Sequence, residues 1–119
     1  MNNIEKLKNE IDIKKKELLQ LEEQLKHIHE FEGIAILRID TNIKKFEEIK
    51  RKIKDITSPK EFEELGTKKL AYDIKGQKEG FYIRYEFEGV ENTVTQLESY
   101  FRINNNILKF ITIRHDGEE

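Results

Sequence analysis

Five basic side chains, Lys68, Lys69, Lys75, Lys78 and Arg84, fall between residues 66 and 85, where only Asp73 and Glu79 are negative. That is a local charge of +3 on a chain whose net charge is −2. Lysine and arginine held along a firm edge neutralise phosphates and release their counterions. A positive segment can therefore place a phosphate backbone without the whole chain being basic. The plainer reading is that such cations keep a sheet edge soluble. Residues 86–119 have the opposite balance: Arg102, Lys109 and Arg114 against Glu86, Glu88, Glu91, Glu98, Asp116, Glu118 and Glu119, a local charge of −4.

Other arrangements offer less chemistry. Tyr82 and Arg84 alternate with Phe81, Ile83 and Tyr85, which puts them on the opposite face of a strand, where Phe110 is expected to join them. An aromatic ring and a guanidinium on an open sheet stack on a base or pack on a protein. The aromatic-rich pattern of an RNA-recognition sheet is missing, so Tyr82, Arg84 and Phe110 read as a surface for a protein partner. The alternative is that Tyr82 packs on an N-terminal helix. His27 and His29 are two apart and diverge on a helix, so no shared metal is expected. The absence of cysteine excludes thiol catalysis and thiolate sites. Gly76 and Gly80 lack a following Lys-Ser/Thr pair, and Glu47-Glu48 and Glu63-Glu64 read as solvated faces. The expectation is no enzyme and no cofactor.

These side chains must be positioned by a modest scaffold. The chain has 119 residues, 39% of them charged and 36% apolar, which suits a small core under a solvated surface. No apolar run approaches the roughly 20 residues of a membrane span, and the first 30 residues hold no apolar signal core. A soluble cytoplasmic protein is expected.

Residues 1–30 read as a helical extension. Ile4, Leu7, Ile11, Leu18, Leu21, Leu25 and Ile28 recur at alternating steps of three and four once Lys14 fills the gap. This is a coiled-coil seam with one polar intruder, among Lys, Glu and Gln that favour helix. With Ile4 at a heptad a position, Glu10 meets Lys15 of a parallel partner but Glu17 meets Glu22, so charge leaves the orientation open. The seam is expected to serve self-association, including a homodimer, or a partner; the plainer reading folds it back on its own domain.

Residues 31–119 read as an α+β domain of ferredoxin-like βαββαβ order. Gly33 is expected to break the long helix, and Ile34, Ala35, Ile36, Leu37 and Ile39 to form a central strand. Ile43, Phe46, Ile49 and Ile53 mark a helix ended by Ser58-Pro59. A long strand follows with a bulge at Gly66, then a hairpin connection over 76–80 and a strand from Phe81 to Phe87. Val94, Leu97 and Phe101 mark a second helix. Ile107, Ile111 and Ile113 mark a last strand with Leu108 and Phe110 on its other face, and His115 to Glu119 a frayed tail. The expected core is Ile34 or Leu37, Ile43, Phe46, Ile49, Ile53, Ile83, Tyr85, Phe87, Val94, Leu97 and Phe101.

The stretch Gly66-Thr67-Lys68-Lys69-Leu70-Ala71-Tyr72-Asp73-Ile74-Lys75 resembles the signature of the bacterial small-subunit ribosomal protein six family. Glu79-Gly80-Phe81-Tyr82 resembles the start of that family's third strand, and residues 101–110 the end of its second helix and its last strand. The resemblance covers roughly residues 32–115. It implies a ferredoxin-like fold, no catalysis, and assembly into the small ribosomal subunit. There the family binds small-subunit ribosomal RNA beside the small-subunit ribosomal protein numbered eighteen. Together with the basic hairpin it marks Lys68, Lys69, Lys75, Arg102 and Lys109 as candidates for RNA contact and implies a ribosome-associated location. The helical preface, a shorter first helix and Asp73 in place of a common Pro depart from the family pattern. The competing reading is a non-ribosomal coiled-coil adaptor that uses the ferredoxin-like unit as a protein-binding platform.

Overall fold

The computed structural model describes residues 3–115, apart from the side chain of residue 24; of the expected frayed tail, His115 is instead paired with Glu30 in a strand, and residues 116–119 lie outside the described residues. Seven elements run in order: α1 (Asn3–Lys26), β1 (His29–Leu37), α2 (Ile43–Thr57), β2 (Glu61–Ile74), β3 (Gln77–Gly89), α3 (Glu91–Arg102) and β4 (Ile107–His115). After α1 this is the expected βαββαβ order. The strands pair antiparallel in the order β2-β3-β1-β4.

Gly33 does not end the first helix. The helix stops at Lys26, strand pairing begins at His29, and Ile28 falls outside the helical seam. Gly33 instead sits in the middle of β1 opposite Tyr85, whose ring crosses it: a Cβ at Gly33 would stand 2.3 Å from Tyr85 Cε2. The glycine thus serves packing, not helix termination.

The two domain helices cover one sheet face. Phe31, Ala35, Leu37, Ile49, Ile53, Ile83, Tyr85, Phe87, Leu97, Phe101 and Ile107 are buried there, with Phe46 and Val94 packed against them. Phe46 meets Phe81 edge to face at 4.8 Å, and Phe31 stacks on Phe87 at 5.2 Å. Ile43 is a correction, since it is 80% exposed. It is the first residue of α2, directly after the Asn42 cap, whose Oδ1 accepts from Lys45 N at 2.8 Å. The first turn of the helix overhangs the sheet, so the helical period reaches one residue further than the burial does. The other end of α2 closes on Ser58 in the left-handed region, at φ 45°.

Two departures from regular pairing matter for the surface. In β4 the register steps from Lys109 opposite Ile36 to Ile107 opposite Leu37, leaving Leu108 as an extra residue. This bulge reverses the expected faces beyond it: Phe110 turns to the helices beside Ile107, and Ile111 pairs with Ile34 on the open face, while Ile107 and Leu108 keep the faces expected of them. In β2 the register shifts at Gly66, where φ is +90°, and again between Lys69 and Ile74.

The β2–β3 connection is also shorter than expected. Ile74 pairs with Gln77, leaving only Lys75 and Gly76, both at positive φ (51° and 78°). That is the two-residue turn whose twist matches a hairpin. Gly80 lies inside β3, opposite Lys68.

Candidate RNA and protein interface

The sheet face without helices carries the chemistry, and it divides in two. Its apolar part forms where β2, β1 and β4 converge. Ile36, Leu70 and Leu108 are buried together, with Ile34, Ile74 and Tyr82 packed around them. Leu108 reaches this face through the bulge, and Leu70 lies where the register of β2 breaks. The β2–β3 hairpin runs past the end of β1 and curls across it, since Tyr72 and Lys75 both touch β4, which β3 and β1 separate from β2 in the sheet. Lys109 Nζ donates to Tyr72 Oη at 2.9 Å, and Lys75 Nζ donates to the Ile107 carbonyl at 3.2 Å.

The cations at this end ride on aromatic rings. Lys68 Nζ lies 5.8 Å from the centre of Tyr82, and Lys109 Nζ lies 5.4 Å from that of Tyr72. Such contacts hold an ammonium over an apolar surface while leaving it wet. Lys68, Lys75 and Lys109 thus gather around one patch. Lys69 does not join them: Lys68 pairs with Gly80 and Lys69 with Glu79 in unbroken register, so the two point to opposite faces. The Gly66 bulge precedes both and leaves that alternation intact. Lys69 lines a shallow groove with Ile39, Gln77 and Lys78. Arg102, at the end of α3, pairs with Glu98 at 3.7 Å and lies 5.8 Å from the Phe110 ring.

The other end of the open face is acidic. Arg84 sits among four carboxylates: Nε to Glu32 at 2.5 Å, Nη1 to Glu63 at 2.8 Å and to Glu61 at 3.3 Å, and Nη2 to Glu86. Hydrogen bonds donated to Glu32 and Glu86 raise the Arg84 pKa further above its already high value. Arg84, and after it His115 at 3.1 Å, hold the Glu32 carboxyl below its ordinary range. Lys60 bridges Glu30 at 2.6 Å and Glu88 at 3.4 Å. Six carboxylates thus face two fixed cations and one histidine. Tyr82 and Arg84 share the face as expected, but Phe110 does not; the bulge turns it to the helix side against Phe101 at 5.2 Å.

A model of the family described as Ribosomal protein S6 matches residues 30–114. The chain belongs to the ribosomal protein S6 family. A small ribosomal subunit protein bS6 from Prochlorococcus marinus is 32% identical over 94 residues, covering 73% of this chain and 67% of that protein. One from Desulfosudis oleivorans is 47% identical over 53 residues, and that match spans 44% of this chain but only 32% of the relative. A crystal structure of 30S ribosomal protein S6 from Thermotoga maritima superposes with a TM-score of 0.68 at 23% identity, over 74% of this chain and 88% of that one. That likeness carries the fold.

The S6-family match leaves out the whole of α1, which is exposed along its described length. No group of His, Asp or Glu able to hold a metal occurs among the described residues, and no described helix is long and apolar enough to cross a membrane. Sequence reasoning missed the buried open-face trio Ile36, Leu70 and Leu108. One signal was available: the unbroken run from Ile34 to Leu37 is apolar on both sides of the strand, so both sheet faces need cover.

Proposed function

We propose that this chain is a structural component of the small ribosomal subunit that binds ribosomal RNA next to a partner ribosomal protein, the one numbered eighteen. The observation that carries the reading is the divided open face of an S6-family sheet. Its hairpin end offers Lys68, Lys75 and Lys109 around an apolar patch. Its other end offers an excess of carboxylates around Arg84 and Lys60. A phosphate backbone is favoured at the first and repelled from the second. A basic protein chain suits the second and can lay apolar side chains on the exposed Ile111 and Ile113 beside it. Lys69 and Arg102 reach RNA only from the helix side, as secondary contacts. Catalysis has no part in this role.

Sedimentation of a lysate tests the reading. Co-migration with small subunits is the expected result. A chain that stays at the top of the gradient would favour the non-ribosomal adaptor.

A further inference from the structure

The seam of α1 buries nothing in its own chain. Ile4, Leu7, Ile11, Leu18, Leu21 and Leu25 are 52–66% exposed. A lone helix of this composition is marginal in water, and most helical stability comes from packing an apolar stripe. We propose that α1 pairs with α1 of a second copy of this chain in an antiparallel two-stranded coil, with Ile11 set against Leu21 and Lys14 against Leu18.

Three observations select the occupant and its direction. The seam repeats at a and d for three layers and more, which is the pattern one helix offers to its like. Lys14 is the polar intruder, at a d position. A parallel pair stacks Lys14 on Lys14 in one layer of the seam. The antiparallel pair separates the two ammonium groups and lays each lysine stem along Leu18. Flanking charges are evenly matched: the parallel pair gains Glu10 with Lys15 and loses Glu17 with Glu22. The antiparallel pair gains Lys8 with Glu22, and opposes Lys15 to Lys15 and Glu17 to Glu17 once each, at the two-fold axis.

Chain connectivity decides. Only His27 and Ile28 separate the end of α1 from β1, and β1 is an inner strand with β3 on one side and β4 on the other. Paired helix axes lie about 8–10 Å apart. A parallel pair would start two sheets with their inner strands about that far apart. Each inner strand needs a neighbour at about 4.8 Å on both sides, so the flanking strands would contend for the same space. The antiparallel pair sends the two domains to opposite ends of a rod about 36 Å long.

The absence of native cysteine makes the register directly readable. Full-length chains carrying Ile11→Cys and Leu21→Cys are mixed and mildly oxidised, one bearing a tag that alters its mobility. A disulfide-linked heterodimer from the mixture, with little product from either chain alone, is expected. Efficient linkage of Ile11→Cys to itself would mean a parallel pair and overturn the proposal. Light scattering of the unmodified chain should give the dimer mass, and a monomer at high micromolar concentration would overturn self-association altogether. Both cysteine sites are exposed, so domain folding is unaffected by either change.

Discussion

Tyr85 lies across Gly33 so closely that a methyl group at Gly33 would stand 2.3 Å from Cε2 and 2.6 Å from the hydroxyl of the tyrosine. The two residues face each other across the β1–β3 pair at the centre of the sheet. Gly33→Ala must therefore push a fully buried ring out of its place. Overpacking of this kind costs about 1–3 kcal/mol. Urea unfolding measures it, and an unchanged midpoint would remove the close approach.

The same tyrosine makes stability fall in alkali. Burial, and then the negative charge of Glu98, push the Tyr85 pKa above its ordinary value near 10. The unfolded chain ionises first, so the contribution is intact below pH 10 and is lost as pH rises beyond it. The buried hydroxyl has no hydrogen-bond partner among the described residues. Tyr85→Phe is therefore expected to be neutral or stabilising at pH 7 and to flatten the decline above pH 10. Thermal melts of both proteins across that range are the check.

At the acidic end the sign is reversed. Arg84 first, then His115, lower the Glu32 pKa, so this carboxylate stabilises the fold above its unfolded pKa and stops doing so as pH falls through the folded one. Stability should decline on acidification below the ordinary carboxylate range near pH 4. Arg84→Ala should lower stability at pH 7, most at low salt, and make the acid decline shallower. An acid limb of equal steepness in the variant would count against the Arg84 network.

For RNA, opposite faces predict unequal lysines. Lys68→Ala should weaken binding and reduce the salt slope by about one unit, with Lys75→Ala and Lys109→Ala acting alike. Lys69→Ala should do markedly less. Filter binding at two salt concentrations separates them, and equal losses for Lys68 and Lys69 would contradict a phosphate track on the open face.

Removal of residues 1–28 should leave a domain that unfolds cooperatively, because α1 adds nothing to the buried cluster. Within that domain Leu97→Ala should cost about 2–5 kcal/mol, the range for emptying a fully buried site. A truncated chain lacking a cooperative transition would show that α1 belongs to the domain.

Periodicity made much of this legible. The order of elements and the core faces of α2, β3 and α3 follow from where Ile, Leu and Phe recur, and the bulge in β2 from the glycine at position 66. What periodicity cannot carry is a local change of count. A single extra residue at Leu108 turns Phe110 from the expected partner surface to the core, and sets Ile111 beside Ile34 on the open face. Period-two reading has no means of placing such a bulge. Gly33 was misread because glycine punctuates chains more often than it yields to a neighbouring ring. Lys68 and Lys69 show the limit for function: adjacent in sequence and alike in charge, they are divided by the pleat.

Glu30 pairs with His115, so the first strand begins where the last one finishes. The Lys75–Gly76 turn lies at the far end of the strands, about 30 Å away by the length of β1 alone. The sheet therefore has its seam of connection and its lysine end at opposite poles. An element attached ahead of β1, as α1 is, can be acquired, lengthened or exchanged without passing near the lysines. A circular permutant that joins His115 to His29 and opens the chain between Lys75 and Gly76 should keep every strand neighbour, while giving up the one turn that now holds the lysine end together.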